Sequence, residues 1–178
     1  MTRIRLAESC DTAAIARIQI AAWRTAYASF LPAAFLDGLD QSARTAQWQA
    51  RIGPAAHEYS PTFVALDNTS TVRGFSHTGP VRDDDLLPDD LAEVYTIYVD
   101  PLAWRQGIGS GLMAAIDAFW RPRGIHELVL WVFEQNFESR AFYERLGWQQ
   151  DGARQVDDFG GAQPAEARYR RSMKPGPP

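Results

Sequence analysis

Apolar residues change their spacing several times along this chain, and each change predicts an element. Arg3-Ile-Arg-Leu6 alternates polar and apolar positions as a short strand does. Ile15, Ile18, Ala22 and Tyr27 then keep roughly helical spacing behind Asp11, whose carboxylate suits an N-cap. Pro32 stops or restarts that helix, and another helical pattern runs over residues 42–52 before Gly53-Pro54. Residues 62–66 and 71–78 are strand candidates around a turn at Asp67-Asn68.

The second half is more regular. Residues 93–99 (EVYTIYV) are β-branched or aromatic on both alternating faces, which suits a central strand covered from either side. Asp100-Pro101 ends it. After Gly107, residues Ile108, Leu112, Ile116 and Phe119 mark a helix face that Pro122 and Gly124 close. Residues 127–133 form another buried-strand run, and residues 136–146 a helix with Phe137, Ala141, Phe142 and Leu146 near one face. Gly147 stands where a left-handed C-terminal cap belongs. Two weaker strands, 148–156 and 165–173, are joined through a Gly160-Gly161 turn.

Composition narrows the class. With 178 residues and 46% hydrophobic content, one compact domain over 1–178 is expected, with 174–178 a frayed tail. Eighteen basic against 22 acidic residues, and no Lys/Arg stripe, argue against a nucleic-acid partner. The N-terminus lacks a signal-peptide core, and no run approaches the ~20 apolar residues that span a bilayer, so no membrane association is expected. Cys10 alone excludes an intramolecular disulfide and a cysteine-clustered metal site, and fits a cytoplasmic location.

The candidate chemistry sits in WRQGIGSGL, residues 104–112, between a strand and a helix. A helix N-terminus offers backbone N–H groups without helical partners, and glycines let an anion approach them. Gly107, Gly109 and Gly111 could equally serve a tight turn or close helix packing. A P-loop is disfavoured because no lysine follows the glycines. A dinucleotide site is disfavoured because Leu112 takes the third glycine position and residues 100–106 intervene.

The segment IYVDPLAWRQGIGSGLM resembles the pyrophosphate-binding signature of the GNAT superfamily of acyl-CoA-dependent N-acetyltransferases, Arg/Gln-x-x-Gly-x-Gly/Ala after a strand ending Val-x-Pro. NFESRAFYERLGW, about thirty residues on, resembles that superfamily's second signature, an Asn opening a helix that carries Phe-Tyr-x-x-x-Gly-Phe/Trp. The resemblance is firm over residues 93–148 and weaker before them. Trp104 departs from it, standing where Arg or Gln is usual.

That resemblance implies an α/β (α+β) fold with a mixed, mostly antiparallel sheet flanked by helices, its fourth and fifth strands splayed. It implies acetyl-CoA as cofactor, held by the backbone of Ile97, Tyr98 and Val99 along the pantetheine arm. Gln106, Gly107, Ile108, Gly109 and Ser110 would meet the pyrophosphate, with Arg105 adding charge. The Tyr98 N–H would face the developing oxyanion, Tyr143 would lie by the sulfur and protonate the departing thiolate, and Glu93 would act as base through water. Asn136 would touch the cofactor or cap its helix. The acceptor, an amine of a small molecule or peptide, would meet Trp23, Tyr27, Phe30 and an acidic connector containing Asp83, Asp84, Asp85, Asp89 and Asp90. His77 and His126 stand behind Glu93 as candidate bases. Family members often form homodimers, though nothing in the sequence marks an interface. A non-catalytic acyl-CoA-binding module is the alternative.

Overall fold

The structure, a computed structural model, describes residues 2–86 and 90–173. The strands are β1 (Arg3–Leu6), β2 (Thr62–Leu66), β3 (Val72–Pro80), β4 (Leu91–Val99), β5 (Glu127–Phe133), β6 (Gln149–Val156) and β7 (Ala165–Ser172). The helices are α1 (Thr12–Ala26), α2 (Ala33–Asp37), α3 (Gln41–Arg51), α4 (Pro54–Tyr59), α5 (Ile108–Trp120) and α6 (Phe137–Arg145). One seven-stranded sheet runs in the order β1-β2-β3-β4-β5-β7-β6. Every pairing is antiparallel except β4 with β5. The expected mixed, mostly antiparallel α/β fold is therefore present. The tail 174–178 and Asp89 lie outside the described residues.

Helices cover both faces. Leu112, Met113, Ile116 and Trp120 of α5 pack on Ala92, Val94, Leu128 and Leu130, while Ile15 and Ile18 of α1 and Trp48 of α3 pack on Val64, Leu66 and Phe75 across the sheet. Each such side chain contributes about 1.5–3 kcal/mol by leaving water. Glycines allow the closest approaches: a Cβ on Gly74 would lie 2.9 Å from Ile108 Cγ2, and one on Gly111 would lie 2.9 Å from Ile4 Cδ1.

Two local expectations need correction, and one helix is unexpected. Asp11 does not cap α1, because its carboxylate accepts from the Arg5 guanidinium at 2.6 and 3.0 Å and from the Glu8 N–H at 2.8 Å. Helix α3 ends before Gly53-Pro54 as expected, but Pro54 then begins the short helix α4, where the missing N–H costs nothing. The β2–β3 turn runs through Thr71 rather than closing at Asn68. Asp67 organises it, its carboxylate accepting from the Thr69 and Thr71 N–H groups at 2.8 and 3.0 Å and from Arg73 Nε at 2.8 Å.

Two features of β4 position everything that follows. It pairs with β5 only through Leu91–Glu127, Ala92–Leu128 and Glu93–Val129, and beyond these the strands part. On its other edge, pairing steps from Thr78–Val94 to His77–Thr96, leaving Tyr95 as an extra residue. An extra residue on one strand bends it, so the bulge at Tyr95 carries the rest of β4 away from β5.

Candidate active site

The parting of β4 and β5 opens a cleft of about 780 Å3 that runs from the N-terminus of α5, between the strands, to the side covered by α1. Its two halves are built differently.

The first half is mainly backbone. Asp100 is buried and fixes the turn after β4: its Oδ1 accepts from the Leu102 N–H at 3.1 Å, and its Oδ2 meets Arg17 at 3.1 Å. The Asp100 N–H donates to Arg73 O at 2.8 Å. Amides alternate in direction along an antiparallel strand, so Tyr98, two residues back and paired with Phe75, also turns its N–H into β3. This corrects the expected oxyanion donor: the edges facing the cleft belong to Ile97 and Val99. Trp104 Nε1 donates to Val99 O at 2.8 Å, so the residue departing from the motif occupies that carbonyl.

Gly107 then adopts a left-handed φ of 79°, and α5 begins without a side-chain cap. Its first intrahelical donor is the Gly111 N–H, to Gly107 O at 3.0 Å, which leaves the N–H groups of Ile108, Gly109 and Ser110 without a helical partner. The glycines of the motif thus have separate causes. Gly107 supplies the turn, a Cβ on Gly109 would come within 3.1 Å of the Phe142 ring, and Gly111 admits Ile4. Arg105, Gly107, Ile108, Gly109 and Ser110 line the cleft. Arg105 is 91% exposed and 3.7 Å from Glu138. Gln106 is exposed and is not among the lining residues.

From the other wall, Asn136 Oδ1 caps α6 by accepting from the Ser139 N–H at 3.2 Å while the residue lines the cleft. Tyr143, 7% exposed, packs on Phe142 at 5.3 Å and Trp148 at 6.0 Å between ring centroids. Burial raises its phenol far above the usual 10, and Tyr98 raises it further. These residues fit a carrier with a diphosphate and a thioester arm: uncapped amides for the anion, an open strand edge, and a protonated phenol.

The second half is built from side chains. Trp23 of α1 and Tyr27 just after it line this half, but Phe30 does not; that ring packs on Tyr27 at 5.4 Å and Phe133 at 5.4 Å. Burial also raises the phenols of Tyr27 and Tyr98. Glu93 lines the cleft but is 1% exposed. Its Oε2 accepts from the Arg82 N–H at 3.1 Å and Arg82 Nε at 3.0 Å, and its Oε1 from Arg82 Nη2. That guanidinium also stacks 4.2 Å over the Tyr95 ring. Both oxygens of the expected base are therefore already engaged.

Two aspartates of the acidic connector are likewise committed: Asp83 and Asp85 bind the buried Arg168 at 2.8 and 2.7 Å, beside Asp151 at 2.7 Å, and none of Asp83, Asp84, Asp85 and Asp90 is among the residues lining the cleft. Neither histidine lines the cleft. His77 is buried against Thr62, 3.0 Å from its Oγ1, and burial, aided by Arg51, lowers it to about 4. His126 is exposed. Arg82, Gln155, Asp157, Phe159 and Glu166 of β7 also line the cleft, at positions that no motif in the sequence marks.

Residues 20–148 match the model of the Acetyltransferase (GNAT) family. The uncharacterized N-acetyltransferase YuaI of Bacillus subtilis (strain 168) is 32% identical over 144 residues, 81% of this chain and 78% of its own length. The mycothiol acetyltransferase of Salinispora arenicola is 36% identical over 117 residues, 65% of this chain but only 38% of that protein. Among solved structures, YncA from Salmonella typhimurium with its cofactor acetyl-CoA superposes with a TM-score of 0.72 at 22% identity, over 100% of this chain and 97% of that one. With most of its length matched by the family model, the chain belongs to the GNAT acetyltransferase family.

Proposed function

We propose that this acetyl-CoA-dependent enzyme acetylates a primary amine of a small molecule or peptide by direct attack, with both substrates in the cleft at once. The observation that carries this reading is the open β4 edge, facing Tyr143 across a cleft that begins at uncapped amides. The N–H groups of Ile108, Gly109 and Ser110 hold the diphosphate, supported by the positive end of the α5 dipole. When bound, acetyl-CoA supplies an electrophilic thioester carbon and a thiolate leaving group.

The Ile97 N–H, turned toward the cleft and unpaired on that side, is the donor aimed at the oxygen where charge develops. Such donors are worth roughly 3 kcal/mol. Tyr143 gives a hydrogen bond to the departing sulfur; its raised phenol is too weak an acid to surrender its proton fully to a thiolate. Glu93 serves as an anchor, holding Arg82 and the bulge in place.

The test pairs melting curves with and without coenzyme A, ATP or NAD with thiol release from acetyl-CoA over an amine panel. Stabilisation by coenzyme A alone and amine-dependent thiol release are expected. Coenzyme A binding without thiol release for any amine would overturn the reading in favour of a binding module.

A further inference from the structure

We propose that Glu166 receives the acceptor's ammonium group and takes its proton, and that the acceptor is an amine with an apolar body and no carboxylate beside its nitrogen. This rests on the acetyltransferase reading above and names the substrate class of the same site.

Glu166 pairs with Phe133 across β5–β7, at the end of β5 that has left β4. Its side chain therefore reaches the cleft on the wall opposite the open strand edge. Gln155 Nε2 donates to its Oε2 at 2.8 Å, and no other hydrogen bond or ion pair holds it among the described residues. Glu93, by contrast, is saturated by Arg82. Of the two glutamates at this end of the cleft, Glu166 alone keeps an oxygen for a ligand.

The groups facing it come from every neighbouring element. Tyr27, just after α1, and Tyr98 of β4 present phenols, Asp157 after β6 adds a second carboxylate, Arg44 of α3 stacks over Trp23 and acts on Tyr98, and Arg82 of the connector is neutralised by Glu93. Tyr27 also senses the charges of Tyr98, Tyr143 and Glu166, so these groups converge where the strands part. Around them lie aromatic rings: Trp23 and Tyr27 at 5.3 Å, Tyr27 and Phe133 at 5.0 Å, Phe133 and Phe159 at 5.2 Å. Aromatic walls with a carboxylate select a cation carrying an apolar body. A carboxylate on the acceptor would meet Glu166 and Asp157, while Arg82, the cation that acts on Glu166, is already paired with Glu93, and Arg44, 5.7 Å from the Trp23 ring centroid, is not among the residues lining the cleft.

The ammonium proton passes to the free oxygen of Glu166, and the freed lone pair forms the C–N bond as the C–S bond breaks, its electrons leaving on sulfur; the extra proton that the new amide nitrogen then carries goes to that sulfur, which departs as the thiol. Glu166 then releases its proton to water past the exposed Asp157. Burial, aided by Asp157, raises Glu166, with Gln155 and Arg82 opposing, which brings the carboxyl closer to the amine it must deprotonate.

The experiment compares wild type with Glu166→Gln, using 2-phenylethylamine and phenylalanine as acceptors. Wild type should acetylate 2-phenylethylamine with kcat/KM about 100-fold above phenylalanine, as a repelled carboxylate requires. Glu166→Gln should lose roughly 100-fold on 2-phenylethylamine and the ascending limb of its pH profile, while coenzyme A still raises its melting temperature. A second readout needs no turnover. A carboxyl raised in the folded state penalises the fold above its folded pKa and not below its unfolded one, so the variant should melt higher than wild type at pH 8 and equally at pH 4. A variant within threefold of wild type, or phenylalanine matching 2-phenylethylamine, overturns the proposal. Coenzyme A stabilisation with no thiol release from 2-phenylethylamine overturns this acceptor class alone, because other amines in the panel test the acetyltransferase reading separately.

Discussion

The two halves of the cleft solve different problems with different parts of the chain. The cofactor half uses backbone from two short segments, residues 97–111 and 136–143, where Gly107 makes the turn, Gly109 and Gly111 allow close packing, and the start of α5 is left uncapped. The acceptor half uses side chains from α1, β4, β5, β7 and the loop after β6, which meet only because the sheet brings them together. Backbone chemistry constrains the chain locally, since a turn or a helix start accepts few residues. Side-chain chemistry leaves the sheet nearly indifferent to which residue points into the cleft, so one scaffold can serve different acceptors.

Ser110→Glu should separate the halves most widely. The first turn of α5 carries no acidic residue, and a carboxylate there favours the helix dipole, adding about 0.5 kcal/mol to the free fold. The same charge opposes a diphosphate, and coenzyme A affinity should fall about 100-fold, or ~3 kcal/mol. Calorimetry and melting curves should thus move in opposite directions. Unchanged affinity would place the anion elsewhere.

Tyr143→Phe acts where the halves meet. Removing the phenol should lower kcat between about 10- and 100-fold, or roughly 1.4–2.7 kcal/mol, with coenzyme A affinity within about twofold. Single-turnover kinetics measures the first and calorimetry the second. A wild-type kcat would remove Tyr143 from the leaving-group role.

Legibility in the sequence follows the same division. Strands β4 and β5 and helices α5 and α6 could be read almost to the residue, because buried runs, Asn136 and Gly147 are local signals. The splay follows from one extra residue, Tyr95, which no local pattern marks as a bulge. The direction of the Tyr98 amide depends on registry with β3, a long-range fact. Glu166 was invisible for a similar reason: Glu166, Arg168 and Arg170 alternate like a solvated strand face. Only the insertion of β7 between β5 and β6 turns that face into the cleft and against Asp83, Asp85 and Asp151.

The Glu93–Arg82 pair tests whether the acceptor half holds its shape by charge. Glu93 is 1% exposed at its side chain and Arg82 63%, so the two deletions are unequal. Arg82→Met leaves a carboxylate buried without its cation and should cost about 2 kcal/mol, below the usual loss for a fully buried pair because Arg82 is partly screened. Glu93→Gln frees a guanidinium that can turn to water and should cost about half as much. Urea titrations of both variants measure the asymmetry. The ascending limb of the pH–rate profile should survive in Glu93→Gln, and its loss there would return the base to Glu93.

Trp104→Phe probes the smallest effect, at the one cofactor-half position that departs from the family signature. The indole donates to Val99 O at 2.8 Å, and removing that donor should cost about 1 kcal/mol of stability. The consequence for the cofactor has the opposite sign. The freed carbonyl lies on the open edge of β4, where an amide of the pantetheine arm can donate to it, so coenzyme A affinity should hold or tighten by up to about threefold. Trp104 then acts as a structural plug at the end of the splay. A tenfold loss of affinity in Trp104→Phe would mean instead that the indole itself contacts the cofactor, making this part of the site depend on side-chain identity as the acceptor half does.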